Sequence, residues 1–310
     1  MANYVQELRP LIQNIEKVIL GKTEVVKFLI VGLLTNGHVL IEDVPGTGKT
    51  TLSLALAKSI NADFKRIQFT PDLLPSDVTG GFIYNAKTTE FEFRKGPVFT
   101  NILLADEINR TTPRTQSALL ECMQEFKLTL DGKTFELARP FMVIATENPI
   151  EFQGTYPLPE SQIDRFLLKI SMGYLSSEEE VKVIAGQKVK HPIEDLKPVM
   201  DMQSVLQLQL AVKNIEVSKL VLDYIVKIVS LTRHQEDIKL GASARASIAL
   251  MKASSAWAML EGRDYVVPED VVKLLPSVLK HRIVLQPKAA VVGKKSEEVI
   301  SELVKTVAVP

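Results

Sequence analysis

The sequence predicts an α/β fold: a parallel sheet with helices on both faces, followed by an α-helical region. Three observations predict it. Short apolar runs, each ending in polar or glycine-containing punctuation, occur at 38–42, 64–69, 101–107, 141–148 and 166–170. Helix-period stretches lie between most of them, notably 51–60 and 113–126. Beyond Tyr174 these runs give way to helix-compatible segments at about 201–213, 217–233, 243–261, 268–280 and 296–306. Short buried runs alternating with helices mark parallel strands covered on both sides, and such sheets carry their sites beyond the carboxyl ends of the strands.

Taken in chain order, Val5, Leu8, Leu11, Ile12, Ile15 and Ile19 are spaced by three and four, which predicts a helix. Gly21 breaks that pattern, and a second apolar helix follows from about Thr23. The segment 71–77 falls where a helix is expected, but Pro71 and Pro75 forbid an uninterrupted one. Residues 127–137 alternate in polarity around Asp131-Gly132 and predict a hairpin. Ser177 to Glu180 reads as a capping-box start, and 186–200, with Pro192 and Pro198, as a connecting loop. A boundary near 175 divides the chain into an α/β core over 1–175, which includes the N-terminal helices, and a helical domain over 176–310.

Composition excludes several classes. Lys plus Arg balance Asp plus Glu at 37 each, so no global field draws the protein to nucleic acid or to an anionic membrane. The longest apolar run near the N-terminus, 28–34, is far short of the roughly 20 residues of a membrane helix. A single cysteine, Cys122, rules out an internal disulfide framework and fits a reducing cytoplasm; its apolar helical surroundings suit packing. His38, His191, His234 and His281 have no metal-ligand spacing, and His38 reads as strand packing.

Two motifs carry chemistry. Residues 41–51, IEDVPGTGKTT, end in the Gly48-Lys49-Thr50 of a phosphate-binding loop, although its first glycine is replaced by Asp43. A glycine-bearing turn between strand and helix aims successive backbone N–H groups into one concavity, and the helix dipole adds positive potential there. Val44, Pro45, Gly46, Thr47, Gly48, Lys49, Thr50 and Thr51 are thus the expected nucleotide-binding stretch. Lys49 reaches the β and γ phosphates and Thr50 ligates Mg²⁺. A carboxylate facing a polyphosphate is repelled, so Asp43 must face away. The second motif is NILLADE, 101–107, where Asp106 is expected on Mg²⁺ and Glu107 on the attacking water. Adjacent carboxylates on a strand point to opposite sides and so can take separate roles. No guanine-reading N/T-K-x-D sequence occurs, which favours ATP.

Together with VILGKTEVV (18–26), FTPDLLPSDVTGG (69–81), EINRTTPRTQSALLECMQE (107–125), the 145–170 stretch from ATENP to DRFLLKI and GASARA (241–246), these motifs resemble an AAA+ ATPase, and more narrowly the MoxR family, along nearly the whole chain. The resemblance implies a P-loop core with a C-terminal helical lid. The stretch of Val18, Ile19, Leu20 and Gly21 is implied to contact adenine. Asn148 resembles the first sensor, Arg165 an arginine finger presented to a neighbouring subunit, and Arg245 a second sensor that reports hydrolysis to the lid; Ala244 stands where the family often has proline. Arg110 and Arg114 are implied at a subunit interface. The 71–77 segment resembles the helix-2 insert of this clade, and 127–137 the hairpin before the first sensor. A homo-oligomeric ring, expected to be a hexamer, a protein client and a partner with a von Willebrand factor A domain follow from the same resemblance. A metal-chelatase motor subunit and a nucleotide-operated binding switch with little turnover remain alternatives at this point.

Overall fold

The computed structural model describes residues 4–149, 154–186 and 191–310. Helices α1 (Tyr4–Glu16) and α2 (Thr23–Leu34) precede β1 (Val39–Glu42), and α3 (Lys49–Ser59) leads to β2 (Phe64–Gln68). A short helix α4 (Pro75–Thr79) and the hairpin of β3 (Gly80–Asn85) and β4 (Glu90–Lys95) precede β5 (Ile102–Asp106). Next come α5 (Pro113–Glu125), the hairpin of β6 (Lys127–Leu130) and β7 (Lys133–Glu136), β8 (Met142–Glu147), α6 (Glu160–Ile163) and β9 (Leu168–Ile170). The remainder is α7 (Ser177–Gly186), α8 (Met202–Val212), α9 (Lys219–Leu231), β10 (Ile238–Leu240), α10 (Ala244–Leu260), α11 (Pro268–Leu279), β11 (Val284–Leu285), α12 (Pro287–Val291) and α13 (Ser296–Lys305).

Five strands pair in parallel in the order β2-β5-β8-β1-β9. Their side chains divide by alternation. Val39, Ile41, Ile102, Leu104, Met142 and Ile144 face one buried cluster, with α1, α2, α3 and the C-terminal helices. Leu40, Leu103, Ala105, Val143 and Ala145 face the other, with α5 and the hairpins. This period of two on a sheet covered on both sides is why each strand reads as a continuous apolar run.

The structure departs from the sequence expectations in three places. Strands β3 and β4 pair over six residues that carry no apolar run, because the hairpin is half exposed and its alternation is filled by aromatics. Phe93 stacks on Phe135 of the second hairpin and Phe82 lies tilted against the same ring, which joins the two hairpins. The cap of α7 sits one residue early: Ser176, not Ser177, takes the Glu179 N–H on its hydroxyl (3.3 Å) and donates its own N–H to the Glu179 carboxylate (2.9 Å). That register also lays the Glu179 carboxylate where a Cβ on Gly21 would stand, so Gly21 both turns left-handed (φ 70°) and makes room. The 186–200 connection contains a short 3₁₀ turn at Pro192–Asp195, while 187–190 lie outside the described residues.

A buried arginine fastens the helical region to the sheet. Arg282, just after α11, donates to the Asp164 carboxylate (2.8 Å) and to the carbonyls of Phe166 (2.6 Å) and Leu167 (3.1 Å), at the entry to β9. Its side chain is only 4% exposed, and burial lowers its pKa against the raising effect of Asp164. The neighbouring His281 ring meets the Phe166 carbonyl as well (3.1 Å). His38 packs within the sheet layer: Nε2 donates to the Met123 carbonyl (2.9 Å) and Nδ1 accepts the Val143 N–H (3.0 Å), so the neutral ring is fully used.

Replacing Arg282 with Met strands several buried acceptors at once. At ~1–3 kcal/mol for each unsatisfied group, partly relieved by water, the loss is about 3 kcal/mol, read as a lower urea midpoint. Burial takes the His38 pKa down to about 4. Because the folded value lies below the ordinary 6.5, the stability it confers is complete above that pH and falls as the pH drops from 6.5 toward 4, by up to about 3 kcal/mol. Urea titrations across that window will show this slope, and His38→Gln will reduce it, leaving the part that comes from His281, whose pKa burial also lowers.

Candidate active site

The loop between β1 and α3 turns on two glycines. Gly46 and Gly48 have φ of 85° and 90°, a region that side chains with a Cβ avoid, and Gly48 caps α3. The first turn of that helix therefore points unpaired N–H groups into a concavity beyond the sheet's carboxyl edge. Lys49, in the same turn, donates from Nζ to the carbonyls of Asp43 and Val44, each at 2.8 Å. Partial burial lowers its pKa, and the negative charges of Asp43, Asp106 and Glu107 oppose that shift.

A cavity of ≈ 400 Å³ opens here, and Lys49, Thr50, Asp106, Glu107 and Asn148 all line it, with Pro45, Gly46, Gly48 and Thr51. A second cavity of ≈ 300 Å³ shares Gly46, Gly48 and Thr51 with the first and extends to Thr47, Val18 and Ile19. The polar cavity suits phosphates, and its apolar neighbour suits a flat base. Val44 lines neither; its carbonyl holds Lys49 and accepts a longer bond from Thr47 Oγ1 (3.3 Å). Gly21 also lines neither, because it serves the turn and the Glu179 contact.

The acidic pair separates by a backbone turn, which corrects the strand-alternation expectation. β5 ends at Asp106, and Glu107 adopts a left-handed conformation (φ 56°) with its N–H on Thr146 Oγ1 (2.8 Å). Thr146 donates in turn to Asp106 Oδ1 (2.6 Å). Oδ2 of Asp106 accepts from Arg66 (2.6 Å), and Glu107 Oε2 accepts from Gln68 (2.6 Å) and Arg110 (2.8 Å). Arg110 thus turns inward to Glu107, a contact the interface expectation did not include. Burial raises the pKa of Glu147, at the end of β8; nearby Lys169 lowers it and Glu42 raises it.

Two predicted arginines lie elsewhere. Arg165 lines a separate cleft of ≈ 500 Å³ beside α5, and its buried Nε has no hydrogen-bond partner among the described residues. Arg245 is largely exposed near the start of α10, with its nearest carboxylate oxygen, on Asp164, 3.8 Å away. Neither lines the chain's own two cavities.

Sequence reasoning missed Arg66, Gln68 and Thr146 on the polar side and Met172 and Leu175 on the apolar side. Arg66 and Gln68 alternate on β2, which pairs with β5 so that Gln68 lies opposite Asp106. That adjacency follows from strand order, which no local pattern reveals. Among the described residues no group of three or more His, Cys, Asp or Glu can hold a metal. The oxygens of Thr50 and Asp106 share the polar cavity and fit a hard cation that completes its shell with phosphate and water oxygens.

The model of the ATPase family associated with various cellular activities (AAA) matches residues 38–168, and that of the AAA lid domain matches 230–303. Protein YeaC of Bacillus subtilis is 53% identical over 99% of this chain and 97% of its own length. Chaperone MoxR1 of Mycobacterium tuberculosis is 44% identical over 100% of this chain and 84% of its own. A crystal structure from Cytophaga hutchinsonii, assigned as an ATPase, superposes with a TM-score of 0.91 at 39% identity, over 99% of this chain and 96% of that one. A more distant likeness, 26% over 60% of this chain and 43% of the other, runs to magnesium-chelatase subunit ChlI of Nicotiana tabacum. With an AAA core, its lid and these whole-length relatives, the chain belongs to the MoxR family of AAA+ ATPases.

Proposed function

We propose that the protein is a Mg²⁺-dependent ATPase that works as a ring, of six subunits, and uses ATP turnover to remodel or mature a protein client, together with a partner bearing a von Willebrand factor A domain. The observation that carries this reading is the meeting of Lys49, Thr50, Asp106, Glu107 and Asn148 in one polar cavity that opens onto an apolar one. The chaperone name of the Mycobacterium tuberculosis relative supports the client-directed part.

In this reading the backbone N–H groups of Gly46 to Thr51 cradle the phosphates. Lys49 leaves the Asp43 and Val44 carbonyls to meet the β and γ oxygens. Thr50 and Asp106 hold the metal, which when bound neutralises phosphate charge. Glu107, freed from Gln68 and Arg110, takes a proton from the attacking water, and Asn148 positions that water. Arg66, which donates to Asp106 Oδ2, would exchange that exposed contact for the metal on the same carboxylate. Arg165, which lines neither of the chain's own cavities, stabilises charge on the neighbouring subunit's phosphates, for which a planar, permanently charged guanidinium is suited, and Arg245 reports the γ-phosphate to the lid.

Lys49→Ala will weaken ATP binding by at least about tenfold in an equilibrium titration, whereas Glu107→Gln will bind ATP and lose on the order of a hundredfold in phosphate release. Unchanged turnover in Glu107→Gln moves the base elsewhere. Mixing Glu107→Gln with Arg165→Ala subunits will restore part of the activity that each lacks, because an intact site forms wherever the first supplies the arginine and the second the carboxylate. No recovery at any ratio rejects action in trans.

A further inference from the structure

We propose that Asp43, where the phosphate-loop pattern has its first glycine, is a positioning residue that holds the base-side wall of the nucleotide pocket in place. The inference rests on the nucleotide reading above and adds to it a residue that touches no nucleotide.

Asp43 is 8% exposed, and it does not line the phosphate cavity. One carboxylate oxygen accepts the Val44 N–H at 2.8 Å. The other accepts the N–H groups of Met172 (2.8 Å) and Gly173 (2.7 Å) and the hydroxyl of Ser171 (3.1 Å). These donors belong to the segment that leaves β9 and runs to α7, the first helix of the C-terminal region. Gly173 has φ 62°, so the segment bends sharply where the carboxylate grips it. Just beyond, Lys22 Nζ donates to the Tyr174 carbonyl (2.7 Å). Met172 and Leu175 then face Val18 to Leu20 across the apolar cavity, and the Met172 methyl group lies 3.8 Å from where a Cβ of Gly48 would be.

Residue 43 is therefore a node. Its N–H reaches the Glu147 carbonyl beside Asn148 (3.1 Å), its carbonyl holds Lys49, and its side chain holds the connector. A glycine here leaves the Met172 and Gly173 amides without their anionic acceptor. A charged acceptor shared by several donors is strong and directional, so the connector is fixed relative to the phosphate loop before nucleotide arrives. Met172 and Leu175 are thereby pre-organised against the base, and ordering them on binding costs less.

The test compares ADP with inorganic pyrophosphate, two ligands that share phosphates and differ in the base. Titrated into the full chain, Asp43→Gly should weaken ADP binding by about tenfold and pyrophosphate binding by less than about twofold, with faster amide exchange over 172–175. Met172→Ala, which leaves the loop untouched, should show the same ADP-selective loss, and it decides the matter should Asp43→Gly fail to fold. Wild-type ADP affinity in either folded variant overturns the proposal, as does an equal loss of ADP and pyrophosphate in Asp43→Gly, which would make Asp43 a shaper of the phosphate loop alone. A wild-type chain that binds neither ligand rejects the nucleotide reading instead.

Discussion

Parallel pairing of β1, β8, β5 and β2 is the constraint from which the active site follows. Because the strands run the same way, their carboxyl ends fall along one edge: Glu42 opposite Glu147, Ala105 opposite Ala145, and Gln68 opposite Asp106. The phosphate loop leaves β1, Asp106 and Glu107 close β5, Asn148 follows β8, and Arg66 and Gln68 come from the end of β2. Residues spread over about a hundred positions of sequence thus reach one cavity. A one-residue slip in any pair would send these side chains into the helical layers, so the alternating apolar faces that fix the register also fix the chemistry.

Crowding of charge is the cost of that convergence. Asp43, Asp106 and Glu107 stand near one lysine, and each has a separate solution. Asp43 is turned out of the cavity and filled with donors. Asp106 takes Thr146 and Arg66, while Glu107 takes Gln68 and Arg110. The Arg66 and Arg110 side chains are 49% and 41% exposed, so these are yielding partnerships in high dielectric, suited to being exchanged for a ligand. Asp43, by contrast, is closed off from solvent, as befits a fixed joint.

The sheet and most helices were legible because burial writes itself into sequence: a strand covered on both faces becomes an apolar run, and a packed helix shows three-and-four spacing. The phosphate loop and the acidic pair were legible because their chemistry needs fixed residues at fixed spacing. Arg66, Gln68 and Met172 were not, since each reaches the cavity through tertiary adjacency. The hairpin β3–β4 escaped because its exposed strands lack both an apolar run and an Asn-Gly or Asp-Gly turn. The family resemblance implies Gly21 at the base, whereas in the structure its missing Cβ leaves room for the Glu179 carboxylate.

The placement of Arg165 depends on the helical region rather than on the sheet alone. It lies between Asp164 and Phe166, and Arg282 binds the side chain of the first and the carbonyl of the second. The segment is held from both sides while the Arg165 side chain is left to its own cleft. Asp164 also lies nearest Arg245, so one carboxylate links the end of α11, the start of α10 and the approach to β9. In the ring reading this geometry means that a shift of the C-terminal helices reaches both Arg165 and Arg245. Asp43 acts on the other end of β9, where the chain leaves for α7. The three residues of β9 are thus pinned to the helical region at entry and to the phosphate loop at exit. In the ring reading, β9 is thereby the short stretch of chain that joins the phosphate loop to Arg165.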